Sequence, residues 1–234
     1  MEFLLDIHGI RILTALVMLA IASVLDLWKR EIHDSLWIAF GAISVVYLFM
    51  EPNTSLAFTT LGISMIIAPL VIVIWRIGFF GGADAFCLIV LSGLTPMITI
   101  SSDTVTPFTT LTNAAILSII PLFTNAIRNS ICILNHKDIF YGFKETKFRK
   151  ICAMFLGYRS NNPKYSFLIE KTESGHKKLN FSLSHAENAD FCNVKNSWVT
   201  PGIPYVLYIT GGFLIQLFFG DILLNNFTDF FIKT

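Results

Sequence analysis

Long apolar runs are the feature that most constrains this chain, because a helix needs about 20 apolar residues to cross the hydrocarbon core of a membrane. Of its 234 residues, 54% are hydrophobic and only 14% are charged, a composition that is rare in soluble domains. Six charge-poor runs are predicted as spans: residues 10–28, 35–50, 55–75, 84–101, 111–134 and 203–220. We therefore predict an all-α polytopic membrane protein with six transmembrane helices.

A polar segment separates the fifth run from the sixth. Residues 165–172 and 177–184 alternate apolar with polar side chains, which is typical of a β-hairpin. Residues 139–158 mix lysines with aromatics, and predict either an amphipathic helix on the membrane surface or a solvated basic loop. We predict three parts: a membrane domain (1–134) with five helices, a cytoplasmic soluble domain (135–200) with the hairpin, and the sixth helix with an extracytoplasmic tail (201–234).

Positive charge is concentrated in this polar segment. Residues 137–195 contain eleven of the seventeen Lys and Arg residues but only six acids. The positive-inside rule places such a segment in the cytoplasm, so six alternating helices put both termini outside. The prediction is a multi-pass protein of the plasma membrane, with the lipid bilayer as its surroundings. No motif supports nucleic-acid binding, and the oligomeric state is left open.

The cysteines do not predict a metal site or a disulfide framework. They lack CxxC spacing and accompanying histidines, and stand at Cys87, Cys132, Cys152 and Cys192. We interpret them as small buried residues or free thiols, and we expect neither a metal nor a cofactor.

Two aspartates carry the candidate chemistry. Asp26 lies near the end of the first apolar run, about one turn before Lys29 and Arg30, and Asp84 begins the fourth run. Because odd spans run inward and even spans outward, both carboxylates are predicted at the same cytoplasmic depth. An Asp at membrane depth costs about 2.5–3.5 kcal/mol, so a function is expected of it. One such residue could simply reach headgroup water, but two at matched depth favour a shared site.

Paired carboxylates that share one proton can hydrolyse an amide bond. The ionised carboxylate takes a proton from water, while the protonated one donates a hydrogen bond to the scissile carbonyl. Asp84 lies at a helix N-terminus, which favours its charge, and Asp26 lies near a C-terminus. This suggests the hypothesis that Asp84 is the base, although a coupled pair can exchange roles. The glycines before Asp84 allow close backbone approach or left-handed conformations, and an ordinary loop explains them too.

The residues around both aspartates resemble a known group of proteases. Ile32-His33-Asp34, after Asp26, is similar to the stretch that follows the first catalytic aspartate of type IV prepilin peptidases, with His33 in place of proline. Gly81-Gly82-Ala83-Asp84 resembles the GxGD signature of intramembrane aspartyl proteases, a group that includes presenilins and preflagellin peptidases. Ala83 replaces the second glycine, which matches the looser form of the archaeal preflagellin peptidases.

The start of the last apolar run adds to this resemblance. Pro201-Gly202-Ile203-Pro204 is similar to the proline motif beside the presenilin active site, although ordinary capping explains Pro204 equally well. Near the inner end of the fifth run, Asn125, Arg128 and Asn129 share one helical turn. They are interpreted as markers of the membrane interface or as the lining of a wet cavity.

The resemblance implies an activity and a substrate class. The chain is expected to be a GxGD-type aspartic endopeptidase that removes a short basic leader from preflagellin or type IV pilin-like precursors at the cytoplasmic face. Asp26 and Asp84 would be catalytic, and the other motif residues would form the active-site loops. The alternative is a small ion- or proton-coupled transporter that uses both aspartates, which explains the acids but not the motifs around them.

Overall fold

The computed structural model describes residues 6–100, 105–136, 138–173, 176–181 and 190–224. Its helices are α1 (Ile7–Trp28), α2 (Asp34–Met50), α3 (Thr54–Ser64), α4 (Ile67–Ile77), α5 (Gly82–Leu94), α6 (Thr109–Leu117), α7 (Ile120–Leu134), α8 (Lys147–Leu156) and α9 (Tyr205–Phe219). Its strands are β1 (Tyr158–Ser160), β2 (Ser166–Leu168), β3 (Glu170–Glu173), β4 (His176–Leu179) and β5 (Ser197–Pro201). The prediction of a mostly helical chain with a small sheet region is confirmed.

Within the described residues, three helical segments are long and apolar enough to cross a membrane: Ile7–Trp28, Thr54–Ile77 and Thr109–Leu134. The other three predicted spans are also helical, but α2, α5 and α9 have 17, 13 and 15 residues. A 13-residue helix is about 20 Å long, against the roughly 30 Å of a hydrocarbon core. The chain is therefore a membrane protein with three candidate spans, and the predicted set of six is not confirmed.

Prolines explain where the long helical segments are interrupted. A proline ring clashes with the carbonyl four residues earlier, and those carbonyls belong to Met65 for Pro69 and to Leu117 for Pro121. Accordingly α3 ends next to Met65 and α6 ends at Leu117. The fourth apolar run, predicted over 84–101, is helical only to Leu94. The next residue precedes a proline, which disfavours helical backbone.

The chain divides into two compact units. One is formed by Met1–Leu117 with Pro204–Thr234, and the other by Ser118–Ile203. The predicted limits at 134 and 200 remain predictions. We call the two parts the helical unit and the insert unit, and describe each separately.

In the helical unit, α1, α5 and α9 pack against one another, α2 and α4 pack on α5, and α6 packs on α9. The shared core is apolar and includes Met18, Leu19, Ala22, Leu88, Ile209 and Phe213. A buried ion pair joins α1 to the end of α2, with 3.4 Å between Arg11 Nε and Glu51 Oε1. The Arg11 guanidinium also lies over the Tyr47 ring. These contacts fix the end of α1 opposite to Asp26.

The contact between α6 and α9 is close and polar. A Cβ at Gly212 would lie 2.6 Å from the carbonyl oxygen of Thr110 and 2.7 Å from the amide nitrogen of Ala114, so only glycine fits there. The Asn113 amide donates to the carbonyl of Gly220. Buried Asp221 accepts hydrogen bonds from the hydroxyls of Thr109 and Thr112 and from two backbone amides. We call these residues the α6–α9 polar seam.

The insert unit contains both small sheets. Strand β5 lies between β1 and β2, antiparallel to each, and β3 pairs with β4. The predicted pairing of the two alternating segments is therefore present, although residues 165–172 form two strands rather than one. Positions 174–175 and 182–184 of that prediction lie outside the described residues. Trp198 is fully buried at the centre of the unit and stacks on Phe140.

Helix α8 is the helical part of the segment 139–158, and it packs on α7. The side-chain amide of Asn125 donates to the carbonyl of Phe155, and that of Asn129 donates to the carbonyls of Met154 and Gly157. These carbonyls end a helix and have no intrahelical partner, so the two asparagines cap α8. This assigns them a role that the sequence did not indicate.

We expect Gly212→Ala to destabilise the helical unit, because its methyl group would overlap backbone atoms of α6 that cannot rotate away. Overpacking of this kind costs about 1–3 kcal/mol. The control is Gly41→Ala in α2, whose Cβ would meet nothing within 4 Å. The melting temperature in detergent should fall for Gly212→Ala and stay level or rise for Gly41→Ala. Equal melting of both variants would contradict the close approach of α6 and α9.

Candidate active site

Asp26 lies in the last turn of α1. Its carboxylate faces the backbone of Val206 at the start of α9, and Arg30 is near enough to interact electrostatically with it. Its Oδ2 atom is buried and accepts no hydrogen bond from the residues that the structure describes. Arg30 itself has left-handed backbone, with φ at 58°, which ends the helical path just after Asp26. The carboxylate thus has one oxygen available for a further partner.

Asp84 is the third residue of α5. Its Oδ2 accepts a hydrogen bond of 3.0 Å from the backbone N–H of Gly81, the N-cap residue. This bond folds the carboxylate back over the start of the helix, where the helix dipole stabilises negative charge. The aspartate is therefore held in one place by its own helix.

Cys87 is a neighbour that the two aspartates have in common. Its thiol is completely buried and interacts electrostatically with both Asp84 and Asp26. Cys87 lies one turn after Asp84 on the same face of α5, and α5 packs directly on α1. The carboxylates of two helices therefore converge on one buried thiol.

The first turn of α9 completes this site. Tyr205 lies near enough to Asp84 for an electrostatic interaction, while the next residue, Val206, meets Asp26. The Tyr205 ring stacks on Phe80, with 5.6 Å between ring centroids and 10° between planes. The C-terminal end of α1 and the N-terminal ends of α5 and α9 thus meet around the two carboxylates.

A polar contact holds α9 against α1 beside the site. Ser23 Oγ lies 2.8 Å from Thr210 Oγ1. Thr210 also donates to the carbonyl of Val206, at 2.9 Å. Ser23 precedes Asp26 by three residues and Thr210 follows Val206 by four, so both lie one turn away from the site. This contact fixes the register between the aspartate and the backbone that it faces.

The residues between α1 and α2 surround the site less closely than the motif suggested. Ile32 is partly buried and packs against the core of the helical unit. His33 is the exposed N-cap of α2 and makes no side-chain capping bond, and Asp34 is the exposed first residue of that helix. Their assignment to the active-site loop stays a prediction.

The glycines before Asp84 do not all have the predicted role. Gly78 ends α4 in the left-handed conformation, with φ at 87°. Gly81 has ordinary extended backbone, and its Cβ would make a normal 3.6 Å contact with Asp84 Oδ2. Gly82 and Ala83 form the first turn of α5. Left-handed backbone is therefore required at Gly78 and not at Gly81.

The proline motif is divided between the two units. Pro201 ends β5, where it pairs with Ser166 of β2, and the Gly202 amide donates to the carbonyl of Tyr165. A Cβ on Gly202 would lie 2.8 Å from that carbonyl oxygen, so glycine is needed for this backbone contact. Pro204 is the N-cap residue of α9, directly before the two residues that face the aspartates. It starts the helix that lines the site.

Sequence reasoning missed Tyr205, Val206 and Cys87. Two signals were present: the first two follow Pro204 directly, and Cys87 follows Asp84 at helical spacing. In the part of the chain that the structure describes, no group of three or more His, Cys, Asp or Glu residues is arranged to hold a metal ion.

Comparison with known proteins agrees with the motifs. The chain is similar to preflagellin peptidases of Methanocaldococcus jannaschii, at 29% identity over 91% of this chain and 95% of the relative, and of Methanococcus maripaludis, at 26% over 91% and 96%. A third relative, from Methanococcus voltae, is 26% identical over 88% and 94%. Residues 149–222 match the archaeal peptidase A24 C-terminus type II. Residues 13–133, more than half of the chain and including both aspartates, match the type IV leader peptidases, and the chain belongs to that family.

Proposed function

We propose that the chain is a membrane-embedded aspartyl endopeptidase that removes the short basic leader from preflagellin or type IV pilin-like precursors. Membership of the leader peptidase family supports a protease that processes leader peptides. The observation that carries the aspartyl mechanism is the convergence of Asp26 and Asp84 on Cys87 and on the first turn of α9. The names of the archaeal relatives support preflagellin as the substrate class.

The two carboxylates have surroundings suited to different roles. Asp84 accepts the Gly81 amide proton at a helix N-terminus, and both features stabilise its ionised form. Asp26 has a buried oxygen that accepts no hydrogen bond from the described residues, and such an oxygen is less costly when it carries a proton. We assign Asp84 as the base that takes a proton from water, and Asp26 as the acid that faces the scissile carbonyl.

The reaction then follows the chemistry of a shared-proton pair. Water loses its proton to Asp84 and attacks the scissile carbon, while Asp26 donates its proton toward the carbonyl oxygen. The tetrahedral intermediate then collapses: the leaving nitrogen takes up the proton held by Asp84, and a hydroxyl of the intermediate returns a proton to Asp26. The peptide must be extended there, because helical hydrogen bonds would cover the scissile amide.

The proposed active site lies at the cytoplasmic membrane face, with both termini on the other side. The charge distribution supports the cytoplasmic side for the basic insert. The position of both termini rests in addition on the six alternating spans predicted from the sequence. Exposed acids beside the site are placed to meet a basic leader, although each such surface pair is worth only about 0–1 kcal/mol. The proposed loops contain Ile32, His33, Asp34, Gly81, Gly82, Ala83, Pro201, Gly202 and Pro204.

A transporter was the alternative function predicted from the sequence. It would use the same aspartates to bind a cation or relay a proton. The family match over residues 13–133 favours the peptidase, since it includes both aspartates and the residues around them.

Asp26→Asn and Asp84→Asn should each lower leader cleavage by at least about 100-fold, because each removes one member of an acid–base pair. The measurement is cleavage of a preflagellin precursor by the purified chain in proteoliposomes. Asp6→Asn is the matched control: Asp6 caps the opposite end of α1, and Asn caps a helix equally well. Cleavage at the wild-type rate by either site variant would end the aspartyl mechanism, and ion-flux measurements on the same proteoliposomes would then test the transporter.

Tyr205→Phe tests the role of α9 in the site. The variant keeps the ring that stacks on Phe80 but removes the hydroxyl near Asp84, so we expect kcat to fall about threefold to tenfold and its pH profile to shift. Tyr208→Phe, one turn further along α9, serves as the control. The melting temperatures of both variants should match the wild type. An unchanged kcat and pH profile for Tyr205→Phe would show that this tyrosine does not position the dyad.

A further inference from the structure

The insert unit contains a polar pocket of about 560 Å³ that the proposed reaction does not use. It lies between the C-terminal half of α7, strand β1 and the loops that follow β1 and precede β5. Its lining is rich in hydrogen-bond donors and includes Arg128, Arg159, Ser160, Asn161, Asn162 and Asn196. A pocket with this lining is suited to an anion.

The two arginines supply the positive charge of the pocket. Arg128 stacks on Tyr158, with 3.8 Å between its guanidinium carbon and the ring centroid. Stacking fixes the plane of the guanidinium and leaves its N–H edge available for hydrogen bonds. Neither Arg128 nor Arg159 forms an ion pair with an acid in the described ranges. Two arginines in one pocket, neither of them in an ion pair with a described residue, favour a ligand that brings negative charge.

Asp138 is the acid that lines the pocket. Its Oδ1 accepts a hydrogen bond of 3.1 Å from the backbone N–H of Phe140, so this oxygen has a structural partner. The pocket keeps a positive balance, with two guanidinium groups against one carboxylate. The buried Ser160 and the surrounding asparagine amides add neutral polar groups.

An apolar groove continues from this pocket along α7. The groove measures about 360 Å³ and is lined by Thr124, Ile127, Arg128, Ile131 and Cys132. It shares Arg128 and Cys132 with the polar pocket. The side chains of Ile127 and Ile131 are 60% and 52% exposed, and their helix is part of the candidate span Thr109–Leu134. The basic pocket therefore continues into an apolar groove on α7, which is part of a candidate membrane span.

We propose that this pocket and groove bind one anionic phospholipid. The phosphate lies between Arg128 and Arg159, whose planar forks suit bidentate contacts with phosphate oxygens. One acyl chain follows Ile127 and Ile131. Basic pockets at the ends of membrane helices bind lipid headgroups. The groove favours a lipid over free phosphate, because inorganic phosphate has no acyl chain to fill it. The bound lipid would bridge α7 and β1.

The test measures lipid binding by the full chain purified in detergent, without reference to cleavage. Native mass spectrometry would give the bound fraction, and the melting temperature would report stabilisation. Phosphatidylglycerol should bind and stabilise the chain, whereas phosphatidylcholine and inorganic phosphate at the same concentration should not. Each of Arg128→Gln and Arg159→Gln should weaken phosphatidylglycerol binding about fivefold. The control Lys164→Gln removes one exposed charge of the same unit outside the pocket and should bind like the wild type.

A further variant separates the lipid tail from its headgroup. Ile131→Ser should weaken phosphatidylglycerol binding while both arginines remain. Equal binding of phosphatidylglycerol by the wild type and both arginine variants would overturn the proposal, as would equal binding of phosphatidylcholine. Stabilisation by inorganic phosphate alone, unaffected by Ile131→Ser, would replace the lipid with a free phosphate. Since Arg128→Gln also removes the stacking on Tyr158, Arg159→Gln provides the independent variant if the first fails to fold.

Discussion

The contact between the first turn of α9 and the two aspartates is the interaction on which the site depends. A carboxylate inside an apolar bundle is costly unless polar groups meet it. Val206 presents its backbone to Asp26, and Tyr205 approaches Asp84 from the adjacent position. The rest of the helical unit holds this turn in place through the contact of Ser23 with Thr210 and the stacking of Phe80 on Tyr205. The side chains that hold α9 in place therefore also hold Asp26 and Asp84 in position relative to each other.

The sequence identified what depends on local pattern. Apolar runs revealed the helices, and charges inside those runs revealed Asp26 and Asp84. Local backbone chemistry also determines the left-handed conformation of Gly78 and the ends of α3 and α6, because glycine and proline leave few alternatives there. The end of α5 carried the same kind of signal in Pro96, but the apolar run beyond it favoured a longer helix. When a hydrophobic run and a proline disagree, the proline is the better guide to where the helix ends.

Other features could not be predicted, because they depend on which elements meet. A tyrosine at the start of an apolar run is ordinary, and only packing shows that Tyr205 faces Asp84. Asn125 and Asn129 cap a helix whose last carbonyls lie 25 to 30 residues further along the chain, which no sequence pattern indicates. Asn129 also lines a polar pocket together with Arg128, which agrees with the alternative of a cavity lining. The hydrogen bond between Thr109 and Asp221 joins residues 112 positions apart. Pairings at such separations leave no periodic trace in a single sequence.

The α6–α9 polar seam has a consequence for how the chain is made. Thr109 and Asn113 reach the membrane with α6, but their partners on and beyond α9 are synthesised only after residues 118–204. Until then, the polar side chains of α6 lack these hydrogen-bond partners, and lipid does not supply any. The polar side chains of α6 therefore gain these partners only after the whole insert has been synthesised. The segment that carries the first turn of α9 and Asp221 is thus the last described part of the helical unit to be made, and its arrival completes the hydrogen bonds of α6.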